Sequence, residues 1–260
     1  MHMSQSGFAL ITGASGGIGE CFARSLAPRG YDLVLAARSK DKLELLADEL
    51  QKKNQIRVIP ISVDLSLHEG VATLVNELRK GGIETSLLVN NAGFGARGRF
   101  WELSLERQAE MIRLNIQALV ELTYLLLPDM IRKRAGAIIN VSSTASFQPV
   151  PYTTTYSATK AFVTSFSEAL AEELKPYGVR VVTLCPGGTE TNFFAAGQYG
   201  MNTMPGGLQS PQEVVDAALK GLDRGSRLVV PRLLNKLMVA SERLVPRSLV
   251  IKAAARMFRV

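Results

Sequence analysis

Short runs of apolar and β-branched residues alternate along this chain with amphipathic helical stretches, and this alternation limits the fold more than any other feature of the sequence. Seven runs read as strands: Phe8 to Thr12, Asp32 to Ala36, Arg57 to Ser62, Ser86 to Val89, Ala137 to Val141, Arg180 to Leu184 and Arg227 to Val230. Several are apolar almost throughout, as strands buried on both faces must be. The expected fold is therefore α/β, a doubly wound, seven-stranded parallel sheet with helices on both faces. Ser39, Ser104, Ser66 with Glu69, and Ser210 with Glu213 mark helix starts, Pro211 suits a first helical position, and Gly30, Gly81 and Gly178 read as stops. With 260 residues, 47% of them hydrophobic, the chain can bury a large core, and residues 1–260 read as a single domain without repeat or linker.

Composition excludes several function classes. Two cysteines, Cys21 and Cys185, with no CxxC or Cys/His cluster, offer neither a disulfide framework nor a zinc site, so no metal is expected. His2 and His68 lie far from every motif described below, which leaves a His-based nucleophilic triad nothing to work with. No run approaches the roughly 18 consecutive apolar residues of a membrane span, and the N-terminus lacks a signal pattern, so the cytoplasm is the expected location. The formal charge of +7 is local: between Arg232 and Val260 seven basic residues face one acid, Glu242, and account for +6 of it. No stacking aromatics interleave with these charges on a recognisable module, and no nucleic-acid partner is expected.

The first strand runs directly into Thr12-Gly13-Ala14-Ser15-Gly16-Gly17-Ile18-Gly19 and then into a helical stretch. A glycine loop between a first strand and a helix is the Rossmann-type dinucleotide arrangement: Gly13 for the tight turn, Gly17 for close approach of a pyrophosphate, Gly19 for helix packing. Ser15 and Ile18 belong to the same candidate cofactor loop. The second strand ends in Ala37-Arg38-Ser39, with no carboxylate to accept from ribose hydroxyls and with a guanidinium suited to a 2′-phosphate. Arg38 and Ser39 therefore favour NADP(H) over NAD. Asp64, followed by Leu65 after strand three, stands where it can reach the adenine amino group.

Tyr156 and Lys160 stand four residues apart, on one face of a helix. A free tyrosine titrates near pH ~10, and an adjacent ammonium is expected to favour the phenolate and lower that value. Such a phenol suits the proton exchange that accompanies hydride transfer to or from a carbonyl. Ser143 lies 13 residues earlier at the end of strand five, and Asn115 sits within Arg113-Leu114-Asn115-Ile116. With Asn90 to Gly93 and Pro186-Gly187 these motifs occur in the order TGxxxGxG, NNAG, Asn, Ser, YxxxK and PG. Over Phe8 to Asn192 the chain resembles the short-chain dehydrogenase/reductase family, of an NADP-preferring type.

The resemblance implies a tetrad of Asn115, Ser143, Tyr156 and Lys160. Tyr156 would protonate the carbonyl oxygen, Ser143 would hydrogen-bond it, Lys160 would bind the nicotinamide ribose and lower the Tyr156 pKa, and Asn115 would hold a helix distortion and a proton-relaying water. It also implies that Asn91, Ala92 and Gly93 lie beside the adenosine ribose, and that Pro186, Gly187, Thr189 and Thr191 hold the carboxamide and phosphates. Thr189 stands where the family more often has Val or Ile. A homodimer or homotetramer built on the helices around Ser104 to Arg132 and Tyr156 to Lys175 is implied as well, with Ala118, Leu122 and Leu125 compatible with such an interface.

Bulky side chains are expected to line the substrate pocket: Phe94, Phe100, Trp101, Phe147, Tyr152, and, from a glycine-rich lid over residues 188–209, Phe193, Phe194, Tyr199, Met201 and Met204. They point to a small hydrophobic carbonyl or alcohol as substrate. Arg97 and Arg99 either meet an anionic group on that substrate or are solvated loop residues. Residues 232–260 form a basic amphipathic extension, read as two helices broken at Pro246, which either covers the pocket or a subunit interface or makes peripheral contact with an anionic membrane. Three functions follow: an NADP-dependent oxidoreductase interconverting a carbonyl and its alcohol, a non-catalytic NADP-binding redox sensor, and a membrane-recruited binding protein.

Overall fold

In the computed structural model, which describes residues 7–191, 193, 207–242 and 244–259, seven strands form one sheet in the order β3-β2-β1-β4-β5-β6-β7, and every pairing is parallel. They are β1 (Phe8–Thr12), β2 (Asp32–Ala37), β3 (Val58–Ser62), β4 (Thr85–Asn90), β5 (Gly136–Val141), β6 (Val179–Leu184) and β7 (Leu228–Val229). Each run expected to be a strand is one, within two residues at either end. The helices that connect and follow them are α1 (Gly17–Leu26), α2 (Lys40–Asn54), α3 (Gly70–Lys80), α4 (Leu105–Ile112), α5 (Ala118–Lys133), α6 (Thr154–Leu174), α7 (Pro211–Asp223), α8 (Leu233–Ser241) and α9 (Arg247–Met257).

Strand alternation divides the core in two. Ala9 and Ile11 of β1 join Phe22, Leu26, Leu43 and Val215 on the face covered by α1, α2 and α7. Phe8 and Leu10 join Leu74, Leu122 and Leu174 on the face covered by α3, α5 and α6. Because successive residues of a strand point to opposite faces, a strand enclosed on both sides must be apolar at every position, which is why β1 shows no polar alternation. Pro60 is tolerated in β3 because that strand is an edge, paired only with β2. The chain winds outward from β1 to β3 and then returns to β4 beside β1. The crevice above the carboxyl ends of β1 and β4 is the switch point at which such sheets bind ligands.

Most helix ends follow the local signals. Ser210 forms a capping box with Glu213, the Glu213 N–H donating to Ser210 Oγ at 3.2 Å and the Ser210 N–H to Glu213 Oε2 at 2.8 Å. Ser104 accepts from the Arg107 N–H at 3.2 Å, and Ser39 stands at the N-cap of α2 without a side-chain bond. Ser66 is not a cap. Its hydroxyl donates to Asp64 Oδ1 at 2.6 Å, and α3 starts only at Gly70, where a Cβ would lie 2.1 Å from the Asp64 carbonyl oxygen. Competition from the Asp64 carboxylate thus overrides the capping pattern.

Helix α4, a π turn over Arg113–Gln117 and α5 form a continuous run, Leu105–Lys133, long and apolar enough to cross a membrane by length and composition alone. Its Ala118 and Leu122 face the core, with Leu125 packed against it, so these three serve the core rather than an intersubunit face. The residues exposed on this run and on α6 include Ile112, Tyr124 and Phe162, and Phe162 stacks on Phe166 with centroids 5.8 Å apart. The C-terminal extension is two helices, and Pro246 is the N-cap of the second.

Candidate active site

The glycine loop is shaped by contacts across β1 and β4. Thr12 Oγ1 accepts from the N–H groups of Asn91 and Ala92, each at 3.0 Å, and donates to the Val89 carbonyl. The Asn91 amide donates to the Thr12 carbonyl at 2.9 Å and the Gly13 carbonyl at 3.3 Å. Gly19 is required by space: a Cβ there would fall 2.2 Å from the Gly13 carbonyl oxygen, so only glycine lets α1 start this close to the end of β1. Gly17 has φ +56°, a left-handed backbone, and a Cβ would meet Thr191 at 2.9 Å. Thr191, at the end of the segment following β6, therefore lies directly over the loop. The result is a cradle of bare backbone at the first turn of a helix, with the electrostatics of an anion site.

Arg38, Ser39, Asp64, Leu65 and Gly93 line the same cleft. The Arg38 guanidinium is 68% exposed and stands 3.8 Å from Asp64 and 3.9 Å from Glu110, a solvated cation at the open end. Lys42, four residues further on in the first turn of α2, also lines it. Burial pushes the Asp64 carboxyl upward, but the two Ser66 hydrogen bonds and Arg38 outweigh it and hold the group below its ordinary range.

At the other end, β5 delivers Ser143 and the second residue pair of α6 delivers Tyr156, with Lys160 one turn later. Burial pushes the Tyr156 phenol up to about 12, against the hydrogen bond from Ser143, which lowers it. Lys160 is driven down to about 8, again by burial. Its Nζ donates to the Val141 carbonyl at 2.8 Å and lies 5.9 Å from the Tyr156 ring centroid. The net direction at Tyr156 is thus upward and set by burial, where the Tyr156-Lys160 spacing alone predicts a phenol lowered by the ammonium. Enclosure penalises the charged form of each group, and the Val141 carbonyl accepts one of the ammonium N–H donors. At neutral pH the pair is a neutral phenol and an ammonium.

Asn115 lies in the π turn, 1% exposed. Its Nδ2 donates to the Phe94 carbonyl and to Thr159 Oγ1, both at 3.0 Å, and its Oδ1 accepts from the Phe94 N–H at 3.1 Å. The side chain clamps the loop after β4 to α6. A Cβ on Gly93 would lie 2.9 Å from Asn115 Oδ1 and 3.5 Å from Lys160 Nζ, so the two tetrad members sit beside the same backbone.

The cleft, of about 480 Å³, runs from Arg38 to Tyr156. Phe94 and Phe193 line it; the Phe193 ring is tilted against Tyr156 with centroids 5.4 Å apart, and Arg107 lies 3.8 Å over the Phe94 ring. Phe147 and Tyr152 are not among its lining residues, and Phe100 and Trp101 are exposed at 57% and 78%. Phe194, Tyr199, Met201 and Met204 of the expected lid lie outside the described residues. Pro186, Gly187, Thr189 and Thr191 line the cleft, and Thr189 bridges to Gln209. Met238 of α8 and Phe258 beyond α9 line it too, which periodicity could not reveal because it reports a helical face without its partner.

A family profile described as short chain dehydrogenase matches residues 7–199. The chain is 34% identical over 227 residues to the very-long-chain 3-oxoacyl-CoA reductase of Homo sapiens, covering 85% of this chain and 70% of that protein. For the Macaca fascicularis protein of the same name the chain covers 58% of its length, at 36% identity over 69% of this chain. Among solved structures, a short-chain dehydrogenase from Sphingobium yanoikuyae in complex with NADPH superposes with a TM-score of 0.83 at 35% identity, covering 92% of this chain and 94% of the other. The bulky-bulky ketone specific alcohol dehydrogenase from Comamonas testosteroni follows with a TM-score of 0.79 at 33% identity, covering 93% and 94%. The chain belongs to the short chain dehydrogenase family, oxidoreductases that act on CH–OH groups.

Proposed function

We propose that this protein is an NADPH-dependent reductase of a bulky, hydrophobic ketone or aldehyde. The observation that carries the reading is the neutral Tyr156 phenol, hydrogen-bonded to Ser143 and facing a cleft that opens onto the glycine cradle. Gly13, Gly17 and Thr191 line the cleft where a pyrophosphate would lie against bare backbone, and Gly19 lets the first turn of α1 start close to the end of β1. Arg38, with Lys42 beside it, suits a 2′-phosphate, and Asp64 the adenine amino group. The cofactor supplies the hydride. Tyr156 holds the proton that the carbonyl oxygen takes up, and Ser143 donates a hydrogen bond to the same oxygen as its charge develops. Lys160 keeps a positive charge beside this pair and would bind the ribose, and Asn115 holds Phe94 and α6 in register. Phe193 and Phe94 exclude water from the reacting oxygen. Relatives named for very-long-chain 3-oxoacyl-CoA and for ketones bulky on both sides support a large apolar substrate.

NADPH and NADH oxidation, followed across aliphatic, aryl, steroid-like and 3-oxoacyl carbonyls, tests this reading. The wild-type protein is expected to prefer NADPH, and Arg38→Asp is expected to raise its KM by on the order of 10- to 100-fold while leaving that for NADH little changed. Equal use of both cofactors by the wild type would remove Arg38 from its assigned role. For partners, the outward faces of α5 and α6, with Tyr124 and Phe162, favour a homodimer or homotetramer. Exposed Leu233, Leu237 and Leu244 beside Lys236 and Arg247 favour peripheral contact of a cytoplasmic protein with an anionic membrane. Sedimentation velocity with and without phosphatidylglycerol vesicles checks both: a monomer that ignores the vesicles contradicts both assignments.

A further inference from the structure

The C-terminal extension is fastened to the site at three points. Asn235 of α8 packs against the segment after β6, so closely that a Cβ on Gly187 would come within 2.6 Å of its amide nitrogen. Met238, a turn further along, lines the cleft. At the end of α9, Arg97 donates from Nε to the Phe258 carbonyl at 3.1 Å and from Nη2 to the Arg259 carbonyl at 2.6 Å. One planar guanidinium thus satisfies two successive carbonyls at a helix C-terminus, where carbonyls lack helical partners and the helix dipole favours a cation. Arg99, by contrast, pairs with Glu102 at 2.9 Å.

The fastening lies at the catalytic end. Arg97 belongs to the loop that Asn115 holds at Phe94, and the next residue, Gly98, donates its N–H to the Tyr152 carbonyl at 2.9 Å, four residues before Tyr156. Phe258, whose carbonyl Arg97 grips, lines the cleft. Neither end of this bond is local: Arg97 and Phe258 are 161 residues apart.

We propose that Arg97 is a specificity-determining latch that holds Phe258 as a wall for the non-reacting, apolar part of the substrate. The inference rests on the reductase reading for its kinetic consequence and on the geometry alone for its structural one. A wall touching only the remote part of a substrate contributes to binding in the ground and transition states alike, so its loss raises KM and spares kcat. Small ketones that do not reach Phe258 are unaffected.

The test compares wild type, Arg97→Met, which keeps an apolar stem without donors, Phe258→Ala and the double variant. KM and kcat are measured for a short and a long-chain apolar ketone, and amide hydrogen exchange is followed across residues 247–259. Each single variant is expected to raise KM for the long ketone by on the order of tenfold, with the short ketone unchanged and the double variant no worse than either single one. Arg97→Met is also expected to accelerate exchange in α9, whereas Phe258→Ala leaves the Arg97 bonds to the backbone. Unchanged exchange in Arg97→Met overturns the latch. So does an unchanged KM for the long ketone, or a double variant whose defect is the product of the single ones. Should wild type turn over no carbonyl at all, the reductase reading fails, and the exchange result still decides whether the latch exists.

Discussion

Replacing Tyr156 with phenylalanine is expected to lower kcat for carbonyl reduction by roughly 10²- to 10⁴-fold, the range for a positioned proton donor. The substitution removes one oxygen and leaves the ring against Phe193, so the NADPH dissociation constant should stay within about twofold. Fluorescence titration with NADPH and stopped-flow turnover separate the two quantities. Unchanged kcat removes Tyr156 from the chemistry, and retained turnover with lost binding reverses its assignment.

The raised phenol adds a pH signature. A tyrosine held at about 12 is protonated throughout the neutral range, so the proton-donating form needed for reduction is fully present at pH 7 and is lost only as pH rises toward 12. The phenolate needed to take a proton from an alcohol is scarce at pH 7, and its fraction grows about tenfold per pH unit below the pKa. Alcohol oxidation should therefore climb steeply from pH 7 to 10 while the Tyr156 contribution to reduction stays level. An oxidation rate flat over that interval contradicts the assignment of the base.

The second large effect is expected from Asn115→Ala. The change leaves the Phe94 N–H and carbonyl without their side-chain partner and removes the donor from Thr159 Oγ1, at a position 1% exposed. Each buried polar group left unsatisfied costs about 1–3 kcal/mol, and some relaxation toward the cleft recovers part of it, so a loss of about 2–4 kcal/mol is expected. In a chain of this size that corresponds to a fall in Tm of roughly 5–15 °C. Asn115→Asp retains an acceptor for the Phe94 N–H but loses both donated bonds, and should fall at least as far because a buried carboxylate replaces the amide. Calorimetry that finds Tm unchanged in Asn115→Ala would mean that the clamp does not contribute to stability.

Most of the sheet was readable from the chain itself. A strand covered on both faces is apolar almost throughout, and Leu33 to Ala37 can serve few other purposes between two turn signals. The glycine loop was readable for a related reason: Gly17 adopts a left-handed backbone and Gly19 lies against the Gly13 carbonyl six residues earlier, so both requirements are local to the loop. Local signals failed where a neighbour from elsewhere competed. The capping pattern at Ser66 lost to the Asp64 carboxylate, and Phe147 and Tyr152, bulky and close to Tyr156 in sequence, do not line the cleft.

What the sequence alone determined is the order of the elements, the buried-strand pattern, the cradle at the first turn of α1 and the pairing of Tyr156 with Lys160 on one helix, because each is written in residues close together in the chain. Tertiary structure decided the rest. The phenol is raised because burial, a property of the whole surrounding fold, outweighs the hydrogen bond from Ser143. The C-terminal helices form a wall of the cleft because Arg97 and Gly187, distant in the chain, meet them there. Amphipathic periodicity states that a helix has a face to cover, but which surface covers it depends on long-range packing.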